Sequence, residues 1–238
     1  MPRLSRARSK RGGCAQQMMR LKQCAKRTSH SYASVRRQPN GNLDLRYVRR
    51  VCEQIGAALK DKQDRHVVAI RSTVLPGTVR NIVIPILEEV SGAIAGSDFG
   101  VCHNPEFLRE GSAVYDFNAP PKTVIGELEP CSGAAVAALY QMFDAPLIRT
   151  ELEVSEMIKY VDNSWHALKI GFANEVGNLS KAFGVDAHEV MGIFCQDQKL
   201  NISREYLVPG FAFGGSCLPK DCALWYIKLK RTTSKRPF

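Results

Sequence analysis

HVVAIRSTVLPGTVRNIVIPILEEVSGAIAGSDFGVC, residues 66–102, decides the fold. It opens on a short apolar run, HVVAIR (66–71), of the kind that lies buried in a parallel sheet. Pro76-Gly77-Thr78 then predicts a helix through about Val90, with Val79, Ile82, Val83, Ile86 and Leu87 on its inner side. DFGVC (98–102) reads as a second short strand. Strand, helix and strand in this order make an α/β layer with parallel pairing.

Working outward, the same pattern continues on both sides. Upstream, Asn40-Gly41 marks a turn, and Leu43-Asp44-Leu45 leads into a helix through about Leu59, with Val48, Val51, Cys52, Ile55 and Leu59 inward. Downstream, KTVIG (122–126) and PLIR (146–149) are two more short strands, separated by a helical stretch from Ala134 to Phe143. From about Glu153 the pattern turns wholly helical. One segment runs to Phe183 and stops at Gly184; another, capped by Asp186, runs to Cys195. A domain boundary near residue 150 follows.

The charge is unevenly placed. Of 33 Lys and Arg, eleven lie in residues 1–37 and five in residues 228–238, and neither stretch holds an acid. The middle therefore carries 17 bases against all 23 acids. Nucleic-acid binders concentrate basic charge on a folded face or recognition helix, so a nucleic-acid partner is not expected. No apolar run reaches the roughly 18–20 residues needed to span a bilayer, and no membrane partner is expected either. The eight cysteines contain no Cys-x-x-Cys pair. Their spacing suggests neither a metal site nor a disulfide framework, and a reducing, cytoplasmic setting is the economical reading. Residues 1–37 lack apolar periodicity and read as a disordered basic segment, or as a transit peptide.

The long helix has two stripes. Val154, Ile158, Val161, Trp165, Leu168, Phe172, Val176 and Leu179 recur at 3–4 spacing, which suits packing on another helix or on a second subunit. Lys159, Asn163, His166, Ile170 and Asn174 form the other stripe. By periodicity this is either a solvated face or a ligand-facing one. An amine, two amides and an imidazole, without the usual charge pairs, suit a ligand better.

PGFAFGGSCLPKD, residues 209–221, surrounds Cys217 with glycines and prolines, so the backbone can turn tightly and approach a ligand. Lys220 would favour the thiolate. A buried structural cysteine fits the same residues equally well.

That segment, with RSTVLPGT (71–78), NPEFLREGSA (104–113) and EVSEMIKYVDNSWHALKIGFANE (153–175), resembles the UDP-glucose/GDP-mannose dehydrogenase family. The resemblance runs from about Gln38 to Asp221, and CQDQKLN (195–201) brings the wording nearer to the family's GDP-mannose branch than to its UDP-glucose branch. It implies an α/β fold: the C-terminal part of a Rossmann-like, NAD-binding parallel sheet (38–150), followed by an all-helical central dimerisation domain (151–227). It also implies oxidation of the C6 alcohol of a sugar nucleotide to a carboxylate with reduction of two NAD, as in making GDP-mannuronate for polysaccharides. A homodimer through the long helix, 153–183, would be the partner state.

Carried over by position, Cys217 would form the thiohemiacetal and thioester. Glu106 would activate water, Lys159 and Asn163 would stabilise the oxyanion, and Asp221 would tune proton chemistry at the thiol. Thr73 and Lys220 match positions that contact NAD. Glu110, Lys159, Asn163, His166, Asn174, Tyr206, Phe211 and Gly214 would line the sugar-nucleotide pocket.

The chain departs from the family at both ends. The Gly-x-Gly-x-x-Gly turn that anchors pyrophosphate is missing: Gly12-Gly13 leads into no helix-starting pattern, and no acid precedes Asp44. Residues 1–37 and the tail 228–238 are atypical and basic, as expected of out-of-frame or otherwise altered sequence around a genuine core. Val208 stands where relatives carry Arg, and Glu205 where an aromatic is expected. The alternatives are therefore oxidation of UDP-glucose at C6, as in the family's UDP-glucose branch, or a non-catalytic, dimerising fragment.

Overall fold

The computed structural model describes residues 36–37, 43–109 and 111–203, together with Leu207 and Ala223. The chain divides into two compact units, residues 1–162 and 163–238.

In the first unit, β1 (Arg36–Arg37) pairs antiparallel with β2 (Leu43–Asp44) ahead of helix α1 (Arg46–Lys60). The expected helix thus starts after Leu45, because Leu43 and Asp44 are taken up in the pairing. Helix α1 buries Val48, Cys52, Gly56 and Leu59, a single stripe at helical spacing. Strand β3 (Val67–Ile70) follows.

The predicted helix after Pro76-Gly77 forms in two parts. Residues Val79–Val83 make a π-type turn, and helix α2 covers Ile84–Ser91. Pro85 accounts for the break: it has no N–H to give, and its ring crowds the carbonyl four residues back, so the first turn widens. Strand β4 (Gly100–His103), helix α3 (Ala113–Asn118), strand β5 (Thr123–Glu127), helix α4 (Pro130–Ala137) with a 3-10 turn at Ala138–Tyr140, and strand β6 (Leu147–Glu151) complete the unit. Helix α3 falls in a stretch without helical periodicity.

The four-stranded sheet has the order β3-β4-β5-β6. β3 and β4 pair in parallel, as do β5 and β6, but β4 and β5 run antiparallel through Cys102–Glu127 and His103–Gly126. The expected parallel sheet is therefore mixed. Among the described residues between β4 and β5 the chain makes only the one short helix α3, and it returns through Pro120-Pro121. No full crossover helix carries it back to start a parallel strand.

Successive β4 residues face opposite sides. Val101 packs with Cys52 of α1, Val83 of the π-type turn and Leu87 of α2, whereas Cys102 packs with Ile125 of β5 and Val136 of α4. Helices thus cover both faces, and all four β4 residues are buried.

Helix α5 (Leu152–Phe183) begins directly after β6. Its entry depends on Gly126 of β5, where an added Cβ would lie 2.6 Å from Ser155 Cβ and 3.0 Å from the Leu152 Cα. In the second unit, the α5 residues Val176, Leu179 and Ser180 are buried. The α5 helix ends before Gly184, whose φ of 71° is the left-handed conformation glycine adopts without strain. The carboxylate of Asp186 accepts from the amides of His188 and Glu189 and caps helix α6 (Ala187–Phe194). Phe172 packs on Phe194 with ring centroids 5.6 Å apart. Among the described residues no helix is long and apolar enough to cross a membrane.

Candidate active site

In open α/β sheets, ligands gather where strands end at their carboxyl edge. β3 and β4, a parallel pair, both end on the same edge. β3 leads into residues 71–78, which hold Thr73, and β4 leads into residues 104–109, which hold Glu106.

The loop after β4 is built outward from a buried imidazole. His103 is fully buried, with Nδ1 2.8 Å from Ser155 Oγ and Nε2 3.3 Å from the Ser72 carbonyl. A carbonyl can only accept, so Nε2 carries a proton, and the Ser155 hydroxyl lies within reach of both Nδ1 and the His103 carbonyl oxygen. Burial, reinforced by the nearby Arg71 charge and only partly offset by the Ser72 bond, pulls the pKa of His103 down to about 4. The ring is neutral at physiological pH. Asn104 follows: its amide donates to the Val124 carbonyl (2.9 Å), and its Oδ1 accepts from Arg71 (2.7 Å) and from Tyr140 Oη. Tyr140 also accepts from Arg71 at 2.7 Å.

This anchoring leaves Glu106 exposed and Phe107 half-buried. The Phe107 ring takes the ammonium of Lys159 at 5.5 Å from its centroid and that of Lys122 at 4.8 Å. Lys159 is only 8% exposed, which separates it from the ordinary solvated lysine. Lys122 is also paired with Asp162 at 2.7 Å. A shallow cleft beside them is lined by Arg71, Glu106, Phe107, Lys122, Thr123 and Tyr140. On the far side of the loop, Arg109 is locked to Asp116. The Asp116 carboxylate accepts from Arg109 N, Nε and Nη2 and from the Ser112 hydroxyl. Those bonds, the Arg109 side chain first, hold its pKa well below the usual carboxylate range.

Of the residues expected from the sequence, the first unit thus brings Lys159 to the Glu106 loop and places a partly exposed Thr73 on the loop leaving β3. Asn163, His166 and Asn174 are exposed on the second unit's portion of α5. Cys217, Asp221, Lys220, Tyr206, Phe211, Gly214 and Glu110 lie outside the described residues.

Sequence reasoning missed His103, Phe107, Lys122 and the Ser155-Glu156 pair. Only His103 carried a signal, an imidazole at the end of a strand otherwise apolar. The roles of the other residues depend on contacts made by residues distant in sequence.

Comparison with known proteins agrees with this architecture. Residues 34–144 match the NAD binding domain of the UDP-glucose/GDP-mannose dehydrogenase family, and residues 153–235 match its central domain. The chain is 61% identical to GDP-mannose 6-dehydrogenase of Azotobacter vinelandii over 182 residues, 76% of this chain and 42% of that protein. It is 37% identical to a UDP-glucose 6-dehydrogenase of Haloferax volcanii, covering 77% of this chain and 44% of the other. The crystal structure of a ternary complex of GDP-mannose dehydrogenase from Pseudomonas aeruginosa superimposes with a TM-score of 0.82 at 55% identity, covering 84% of this chain and 46% of that one. The chain therefore spans less than half the length of the curated relatives it matches. With both successive domains of the family matched in order, the chain belongs to the UDP-glucose/GDP-mannose dehydrogenase family.

Proposed function

We propose that the chain is the core of an NAD-dependent enzyme that oxidises the C6 alcohol of GDP-mannose to the carboxylate of GDP-mannuronate, for polysaccharide synthesis in the cytoplasm. The observation that carries this reading is the buried Lys159 held against Phe107, beside Glu106, in a chain 61% identical to a GDP-mannose 6-dehydrogenase. The same arrangement would serve UDP-glucose in a sister enzyme.

The described residues fit part of the cofactor. Thr73 stands partly exposed where β3 ends, at the strand edge where such ligands dock. Among the described residues there is no Gly-x-Gly-x-x-Gly turn to take the pyrophosphate. Thr73 and Lys220 would hold NAD, which when bound supplies a hydride acceptor in each of the two oxidations.

The protein's part is then positional and nucleophilic. Once the alcohol has become an aldehyde, the Cys217 thiolate adds to C6, and the oxygen takes the electron pair. Lys159, as a buried cation, and Asn163, through its amide, stabilise that oxyanion. Loss of hydride from C6 leaves a thioester on Cys217. Glu106 takes a proton from the attacking water, the thiolate departs, and the carboxylate is released. Asp221 serves the proton traffic at the thiol. Glu110, His166, Asn174, Tyr206, Phe211 and Gly214 line the pocket for the nucleotide sugar. Incubating the chain with NAD and GDP-mannose should generate NADH at 340 nm, and Cys217→Ala should abolish it; no NADH from the unmodified chain overturns the reading.

A second reading rests on the exposed apolar residues of α5. Val154 and Val161 in the first unit are 51% and 46% exposed, and Leu168 and Phe172 in the second are 62% and 43% exposed. Such a surface suits a homodimer through residues 153–183, with or without catalysis.

A further inference from the structure

The carboxyl of Glu156 takes no part in the chemistry above, yet it is fully buried. One oxygen accepts from the amide of Gly77 at 2.6 Å and the other from the amide of Val79 at 2.8 Å. Gly77 sits at φ 85°, a left-handed conformation that glycine adopts without strain. One residue earlier on α5, Ser155 bonds His103, which in turn bonds the Ser72 carbonyl. The loop leaving β3 is thus tied to the first turns of α5 twice, at Ser72 and at Gly77–Val79. Thr73 lies between the ties, and Lys159 lies three residues beyond Glu156 on the same helix.

A carboxyl is a poor choice for filling this space. A leucine or methionine would occupy the volume without the cost of desolvating a charge. The neighbouring guanidinium of Arg80 is already engaged by Glu153. What a carboxylate supplies, and no apolar or amide side chain does, is two acceptor oxygens for two backbone N–H groups in one loop. An amide would turn its own N–H₂ toward one of those donors.

We propose that Glu156 is a positioning residue that holds the Thr73 loop in register with the helix turn bearing Lys159. The roles of Thr73 and Lys159 rest on the function proposed above; the tether itself does not. Losing it would leave the fold in place and let the cofactor side and the oxyanion side of the site drift apart.

The test uses the full chain, comparing it with Glu156→Gln by amide hydrogen exchange and by NADH fluorescence titration. The variant should melt within a few degrees of the parent. Exchange at Gly77 and Val79 should rise about tenfold or more while amides of β5 stay unchanged, and NADH should bind several-fold more weakly. In the parent, acidification should remove protection at those two amides before it affects β5, as Glu156 takes up a proton. The charged and titratable groups around Glu156 are Arg80, Glu153 and Tyr160. In the variant the two amides should show no such acid step, which a merely space-filling side chain would not predict. If the variant does not fold, the acid step in the parent decides alone. Unchanged exchange, or equal NADH affinity in parent and variant, overturns the proposal. Absence of NADH binding by the parent instead sinks the functional reading and leaves the tether to the exchange data.

Discussion

Ser155 Oγ stands 2.8 Å from His103 Nδ1 and 3.1 Å from the His103 carbonyl oxygen, so one buried hydroxyl touches both the ring and the backbone of the same residue. That pairing joins the end of β4 to the start of α5 and fixes the strand from which the Glu106 loop departs.

A pH dependence follows. His103 titrates near 4 in the folded protein against an ordinary value of 6.5. Between these values the unfolded chain holds the extra proton, so stability rises with pH across the window. The contribution is fully present above about pH 6.5 and is lost as pH falls toward 4. It amounts to an order of 3 kcal/mol. Urea unfolding at pH 7.5 and pH 4.5 should show this slope, and His103→Asn should flatten it. An equal slope in the variant would remove His103 as its source.

Gly126 makes the same junction possible from the sheet side. Its missing side chain leaves room for backbone as well as for Ser155: an added Cβ would meet the Glu151 carbonyl oxygen and the Leu152 Cα, each at 3.0 Å. Backbone at the start of a long helix cannot yield cheaply. Gly126→Ala should therefore cost about 2–3 kcal/mol in denaturant unfolding. A loss under about 0.5 kcal/mol would show that α5 is free to shift at its base.

The strands and helices were largely legible in the sequence because their signals are local. HVVAIR and KTVIG announce strands that are partly or wholly buried, PLIR announces one that is mostly exposed, and Asp186 and Gly184 announce helix ends by their own chemistry. The antiparallel turn of β5 was not legible. Direction depends on how far the chain travels between strands, and helix α3, with exposed Val114 and Tyr115, gives no amphipathic signal. Lys159 was legible as a candidate only through its stripe on α5 and the family's wording. Its burial against Phe107 comes from a loop about fifty residues upstream, which no periodicity reports. Glu156 was invisible for the same reason: its partners are two backbone amides, and those leave no trace in side-chain pattern.

The Arg109–Asp116 clasp gives a local test of the Glu106 loop. Asp116 is held ionised by the Arg109 guanidinium and amide, so its contribution is present above the ordinary aspartate range and is lost only as pH falls through its depressed value. Asp116→Asn removes the charge and one set of acceptor lone pairs, and frees Arg109, whose side chain is already 68% exposed. Trypsin should cut after Arg109 several-fold faster in the variant at neutral pH, since local opening governs such cleavage. Unaltered cleavage would mean that the loop is held by Asn104 and Tyr140 without help from the clasp.

Helix α5 gives the test of partner state. Leu168 is 62% exposed and Trp165 38% exposed, one turn apart. Scattered apolar residues need no explanation, but a repeat at 3–4 spacing that includes Val161 and Phe172 is the pattern of a seam. A dimer formed there would bury Leu168 on both copies, and a carboxylate at that position would have to be desolvated against its symmetry mate. Light scattering after size exclusion should give twice the chain mass for the parent and the single-chain mass for Leu168→Glu at micromolar concentration. A parent that runs as a monomer would exclude the seam, whereas a dimeric Leu168→Glu would place the interface on another face.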